Sequence, residues 1–431
     1  MSQPLRDAAP IVPADPYAPL RFPNYRLFVA GILTMALGAQ IQGVVVAWQM
    51  YALTHDPLAL GMVGLAEAAP FIGLALYAGH VADVHDRRRV ALVALAVLAA
   101  AAAALAVASR GLGTQARPAQ VPGWLRFAIY AIIVVCGAAR SFLLPARNAL
   151  GAELIPRALF PSAVAWRTGV WQVAAVTGPA AGGLLYAWVG ATASYGFAAA
   201  LMAVAFWTVT RIRVPPRATV IRTETLWSSV RAGLRFLFQR PVFLAAMTLD
   251  LLAVLFGGAV AILPIFAEEI LHVGPQGLGA LRAAPAVGAV LTSALLALGR
   301  QPRHVGRTFL TAVVLFGLFT MAFALSRWVW LSLLLLAAVG AADMLSVYFR
   351  STLMQVMVPT GMLGRISAVN QIFIGSSNEI GAFESGVAAR LVGTVPSVIV
   401  GGAVTVVVTL VIAWRVPALR RLHRFETHEP F

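Results

Sequence analysis

Apolar residues in this chain come in long runs separated by short polar connections, without the alternation or striping of a water-soluble fold. Twelve runs approach or exceed about 20 residues, the length that carries a helix across a bilayer. They cover residues 26–53, 58–81, 90–109, 124–146, 160–188, 192–211, 241–270, 276–299, 305–326, 328–350, 364–393 and 395–415. The pattern predicts an all-α integral membrane protein with twelve transmembrane helices. Pro and Gly interrupt many runs, which membrane helices tolerate because neighbours re-satisfy the backbone.

The longest internal break, 212–240, divides the runs into six and six. The expected organisation is a tail over 1–25, a bundle over 26–211, a linker over 212–240, a second bundle over 241–415 and a tail over 416–431. Within the linker, Trp227, Val230, Leu234 and Leu237 fall on one side of an expected helix over 225–240. It reads either as a surface helix meeting anionic lipid or as a solvated linker. The first 20 residues are polar and hold Pro4, Pro10, Pro13, Pro16 and Pro19. They lack the apolar core of a secretory signal, so the first run is expected to act as an uncleaved signal anchor. Arginines concentrate in both tails and the even-numbered connections, which places both termini in the cytoplasm. Loop 3–4, with Arg110, Arg117 and Arg126, runs against that bias.

Composition agrees with lipid embedding. The chain is 60% hydrophobic and 11% charged, against about 25% charged for a soluble domain. A net charge of +16 would suggest nucleic acid in a soluble protein, but here it lies in short loops, and no nucleic-acid partner is expected. All 32 basic residues are arginine. That excludes a Walker-type phosphate loop and a Schiff-base lysine, so the energy source is expected to be a gradient rather than ATP, with no cofactor. The single cysteine, Cys136, permits no intrachain disulfide and no thiol-based zinc cluster. Seven scattered histidines form no metal or catalytic constellation, which argues against a membrane enzyme.

Eight charged residues interrupt the apolar runs: Glu67, Arg140, Arg167, Asp250, Arg282, Asp343, Glu379 and Glu384. A charge in hydrocarbon costs several kcal/mol or more, so such groups pair, face water or carry ions. Asp250 and Glu67 lie near mid-span and are the first candidates to carry protons; Asp343 and Glu379 follow, then Glu384. For each the competing reading is a static ion pair. Arg350 falls two turns after Asp343 on the same face. At 100° per residue, Asn370, Ser377, Asn378, Gly381, Glu384 and Ser385 form one stripe of the eleventh run, facing a cavity or a neighbouring helix, with Glu379 on the opposite side. Glu379 therefore needs another partner, such as an arginine of another helix. Arg167, Arg282, Asn370, Ser377, Asn378, Gln42 and Gln49 are cavity candidates, and the nearby Trp48 reads as packing.

The connection after the second run reads Gly79-His80-Val81-Ala82-Asp83-Val84-His85-Asp86-Arg87-Arg88-Arg89, and the fifth run contains Gly178-Pro179-Ala180-Ala181-Gly182-Gly183. Here the chain resembles the major facilitator superfamily of transporters. Gly79, Asp83, Arg87 and Arg88 match its loop 2–3 signature; Val84 and Asp86 depart from it. The fifth-run motif is similar to one found in its proton-coupled exporters, with Ala174 where they carry glycine. Tyr51–Thr54, Ser141–Arg147, Ala342–Met344 and Asn370–Glu379 are similar to a bacterial efflux branch that includes siderophore and drug exporters.

The resemblance implies a major facilitator fold with inverted 3+3 repeats in each half, in the bacterial inner membrane. In that fold, helices 1, 4, 7 and 10 line the cavity and 2, 5, 8 and 11 flank it; all eight charges fall on these. The resemblance also implies export of a small organic compound, siderophore-like or an amphipathic drug, in exchange for protons by a monomer. Gating would fall to Gly79, Asp83, Arg87, Arg88, Arg140, Arg147, Gly178, Pro179, Gly182 and Gly183. An uncoupled or lipid-directed carrier on the same fold remains the alternative.

Overall fold

The computed structural model describes residues 15–110, 123–214, 235, 237–299, 304–358 and 363–422. The expected surface helix over 225–240 lies mostly outside them. Among the described residues there is no strand, and ten helical stretches are long and apolar enough to cross a membrane. The chain is a multi-pass, all-helical membrane protein.

The N-terminal half opens with α1 (Pro23–Thr54), α2 (Pro57–Val84), α3 (Arg87–Ala108) and α4 (Gly123–Glu153). Short acidic caps set two of the starts. The Asp56 carboxylate accepts from the Leu58 amide at 2.9 Å, and that of Asp86 accepts from the Arg88 amide at 2.8 Å, satisfying amides that a helix start leaves open. Phe160–Arg211 follows as 52 helical residues, about 78 Å if straight and far longer than a bilayer core. It folds back at Gly190, where φ is 75° and ψ −178°, a conformation open chiefly to glycine. Both arms pack on one stretch of α1, Gly182 against Ile41 and Ala198 against Gly38. We number the arms α5 (160–189) and α6 (191–211).

The C-terminal half holds α7 (Pro241–Gly257), α8 (Gly274–Leu298), α9 (Val305–Leu325), α10 (Val329–Met357), α11 (Leu363–Val392) and α12 (Thr394–Arg415). Past Gly258, α7 continues in changed winding, a 3₁₀ turn at Ala259–Ile262 and a π turn at Phe266–Ile270. α11 is as long as its neighbours but carries Arg365, Glu379, Glu384 and Arg390, which is why apolarity alone does not mark it as a span.

Three apolar cores order these helices. One lies wholly in the N-terminal half and includes Tyr25, Phe28, Leu95, Leu143 and Met202. A second lies wholly in the C-terminal half, around Phe243, Phe309, Phe349 and Leu353. Both sit toward the end of the molecule that carries Pro23 and Arg415. The third, at the opposite end, is built from both halves, with Ile41, Met50, Tyr186 and Tyr195 joined by Phe266, Leu278, Leu281 and Phe323. The halves are therefore fused at the far end and keep separate cores at the terminal end.

Candidate functional site

The fused end rests on two backbone-to-backbone contacts. Along α2 and α11, a methyl group on Gly386 would stand 2.7 Å from the Gly61 Cα; along α5 and α8, one on Gly183 would stand 3.0 Å from the Gly279 Cα. The glycine motif of α5 is thus divided in use. Gly178 and Gly182 seat α5 on Gln40 and Ile41 of α1, while Gly183 and the Pro179 carbonyl face α8. Two polar links join the halves at the same end. The Tyr51 hydroxyl donates to Glu269, and Arg390 pairs with Asp56 at 3.4 Å. The sequence marked Tyr51 only as part of the Tyr51–Thr54 stretch and offered no signal for Glu269 or for their pairing.

Below that seal lies a cluster of four charges. Glu67 of α2 forms an ion pair with Arg140 of α4. Glu379 of α11, from the other half, lies in the field of both Arg140 and Arg282 of α8. Arg282 reaches across the halves toward α1, its Nη1 3.8 Å from where a Cβ on Gly43 would be. Gly64 of α2 packs against the Glu379 carbonyl and Ala382, which holds α2 and α11 at this depth. Two acids and two arginines from four helices share one level, and the Arg140 side chain keeps 40% of its surface exposed.

The C-terminal half has its own buried set. Arg350 of α10 binds Asp250 of α7 at 2.7 Å, with both side chains 7% exposed. Asp343 lies in the field of the same arginine, as the two-turn spacing predicts. The structure does not bring this set together with the Glu67 cluster.

At the terminal end the loop 2–3 residues form a clamp within the N-terminal half. Arg87 pairs with Glu153 of α4 at 2.5 Å and approaches Asp83 at 4.0 Å. Arg88 donates to the Val209 and Thr210 carbonyls at the end of α6, a favourable place for a cation. Glu153 was not singled out by the sequence; its partner is set by tertiary packing. Gly79 has open space around it rather than a close helix approach. Arg147 stands over Trp171 of α5, 5.9 Å from the ring centroid, and feels Arg167 and Arg140.

The polar candidates divide. Gln49 is not at a cavity; it donates to Ser109 at 3.0 Å and accepts from Tyr195 at 2.8 Å, tying α1 to α6 and the end of α3. Gln42 is also buried, its amide nitrogen 3.5 Å from the Cys136 Sγ. The α11 stripe turns to α7. Gly381 lies against the Leu255 carbonyl, Ser385 donates to the Gly258 carbonyl at 3.1 Å, and Glu384 lines a small recess with Phe256, Ala259 and Ile262. Ser377 and Asn378 both bond back to the Ile374 carbonyl at 3.0 Å, and the Asn370 Oδ1 is buried without a partner. Among the described residues no group of His, Cys, Asp and Glu is arranged to hold a metal ion.

Two helical halves share one apolar core at one end, keep separate cores at the other, and bring opposed charges together between them. The family model described as transmembrane secretion effector matches residues 14–429. The chain belongs to this family of the major facilitator superfamily. This transporter is 28% identical over 412 residues to the enterobactin exporter EntS of Salmonella typhimurium, covering 93% of this chain and 94% of that one. It is equally similar, over 409 residues and the same shares, to EntS of Citrobacter koseri. Among solved structures it matches a POT family transporter in complex with 5-aminolevulinic acid, with TM-score 0.73, 11% identity and 92% and 96% of the two chains covered. It also matches the nucleoside transporter NupG, with TM-score 0.64, 14% identity and coverage of 91% and 98%. These two likenesses concern the fold alone. The chain is an efflux transporter of a small molecule, not an enzyme.

Proposed function

We propose that this protein exports a small organic compound across the bacterial inner membrane by alternating access, in exchange for protons. Counting Phe160–Arg211 as two spans and adding α11 gives twelve helices in two bundles of six, read as inverted 3+3 repeats. The arginine distribution supports cytoplasmic termini. The cleft then faces the cytoplasm, and the fused end is the closed outer gate. The relatives support a siderophore-like cargo, and the lipid bilayer and protons are the remaining partners of a monomer.

The observation that carries this reading is the four-charge cluster beneath the seal. Glu67 with Arg140, and Glu379 with Arg282, balance while both acids are ionised. Opening the seal would part Glu379 from Arg140, because they belong to different halves. A carboxyl that loses a neighbouring cation is easier to protonate, so the same movement that exposes cargo would load a proton. Asp250 and Asp343, which share Arg350, are second candidates for that role.

The test is transport into inverted vesicles or proteoliposomes with enterobactin, with and without an imposed proton gradient. Gradient-driven uptake that is lost in Glu379→Gln supports the reading. Uptake equal with and without the gradient would leave an uncoupled carrier.

A further inference from the structure

Three arginines stand together in the N-terminal half, and among the described residues only one of them has an acid. Arg140 and Arg147 lie two turns apart on α4, and Arg167 lies on α5, which follows α4 after a short loop. Arg140 is held by Glu67. Arg147 feels both Arg140 and Arg167, yet no ion pair of Arg147 or Arg167 is found among the described residues. The Arg147 Nε is buried with no hydrogen-bond partner. Its guanidinium covers part of Trp171, which is itself 39% exposed.

These residues lie in the terminal-end portions of α4 and α5, where the two halves keep separate cores. Arginine does not shed its charge, and like charges in a wall of low polarity repel. Something negative from outside the wall would relieve that repulsion. A guanidinium fork suits an oxyanion, and an indole face suits a flat ring.

We propose that Arg147, Arg167 and Trp171 form a subsite for an organic anion with a flat apolar body. The two arginines hold its acidic group and Trp171 stacks on its ring. This rests on the transport reading above and names the charge of the cargo. The acidic group could belong to a soluble organic acid or to an anionic lipid headgroup; both present the same oxyanion.

The experiment is calorimetric binding to the purified full-length chain in neutral detergent, with 2-naphthoate and the equally shaped, uncharged 2-naphthamide as probes. Naphthoate should bind about tenfold tighter or more, the preference expected of charge-assisted hydrogen bonds. Arg147→Gln and Arg167→Gln should each reduce the preference, and Arg147→Lys should keep part of it. Trp171→Leu should weaken both probes alike. Competition by phosphatidylglycerol but not phosphatidylcholine in nanodiscs would assign the site to a lipid headgroup; no competition would assign it to a soluble acid. Equal binding of the two probes by the wild-type chain, or a preference unchanged in both Arg→Gln variants, overturns the proposal. Binding that prefers the anion while export ignores the proton gradient would overturn the coupling and leave this subsite standing.

Discussion

Gly183 of α5 and Gly279 of α8 meet backbone to backbone across the two halves, each leaving no room for a side chain on the other. Glycine is required there by the neighbour rather than by the local backbone, because neither residue has positive φ. Gly183→Leu should hold the two halves apart at this end and cut transport by about tenfold or more, as a shift in population of 1–3 kcal/mol would. Spin labels at His55 and Leu391, exposed positions on opposite halves, should report a longer distance in the variant. An unchanged distance would remove the role assigned to this contact.

Asp250 and Arg350 form a buried pair, so removing one partner strands the other. Arg350→Ala should destabilise the protein by about 3–5 kcal/mol, whereas Asp250→Asn combined with Arg350→Gln should cost less. Thermal unfolding in detergent would rank them. If the double variant melts below Arg350→Ala, the pair is not a balanced ion pair.

Glu379 is the acid that acts on Arg282, and it acts across the halves on Arg140. Glu379→Gln should therefore abolish proton release on substrate binding, measured with a pH dye in weak buffer. Release that persists in this variant would move the proton to Asp250 or Asp343.

Tyr51 and Arg390 both link the halves at the seal, but in different surroundings. Arg390 and Asp56 have side chains 54% and 36% exposed, and such surface pairs contribute about 0–1 kcal/mol. Tyr51 is 2% exposed and donates to a carboxylate, a bond worth about 1.5–3 kcal/mol. Arg390→Ala should leave transport within about twofold, and Tyr51→Phe should change it several times more. Parallel vesicle assays decide the order.

Span positions were legible because a bilayer imposes length and apolarity on each helix. α11 is the exception: its length matches its neighbours, but its four charges keep it from being marked as a span by apolarity. Helix ends were less legible; α4 runs on to Glu153 and α10 to Met357, since the polar ends continue beyond the apolar stretch. Helical spacing anticipated the nearness of Arg350 to Asp343, and the need of Glu379 for a foreign arginine, but not the pairing of Arg350 with Asp250. It could not say which arginine Glu379 meets, because that depends on how two halves distant in sequence dock. Gln49 misled for the same reason. A glutamine in an apolar run reads as a cavity group until Ser109 and Tyr195 are seen to consume its amide. Glu153 and Glu269 were invisible as partners, being ordinary acids at helix ends until folding brings Arg87 and Tyr51 to them.

The paired glycine contacts, Gly61 with Gly386 and Gly183 with Gly279, set backbone against backbone in two separate seams, α2 on α11 and α5 on α8. Such smooth seams would serve a moving carrier as bearings. If the halves rock as proposed, these two seams let them roll without unthreading side chains there, and the resistance comes from the shared apolar core and the polar latches beside the seams.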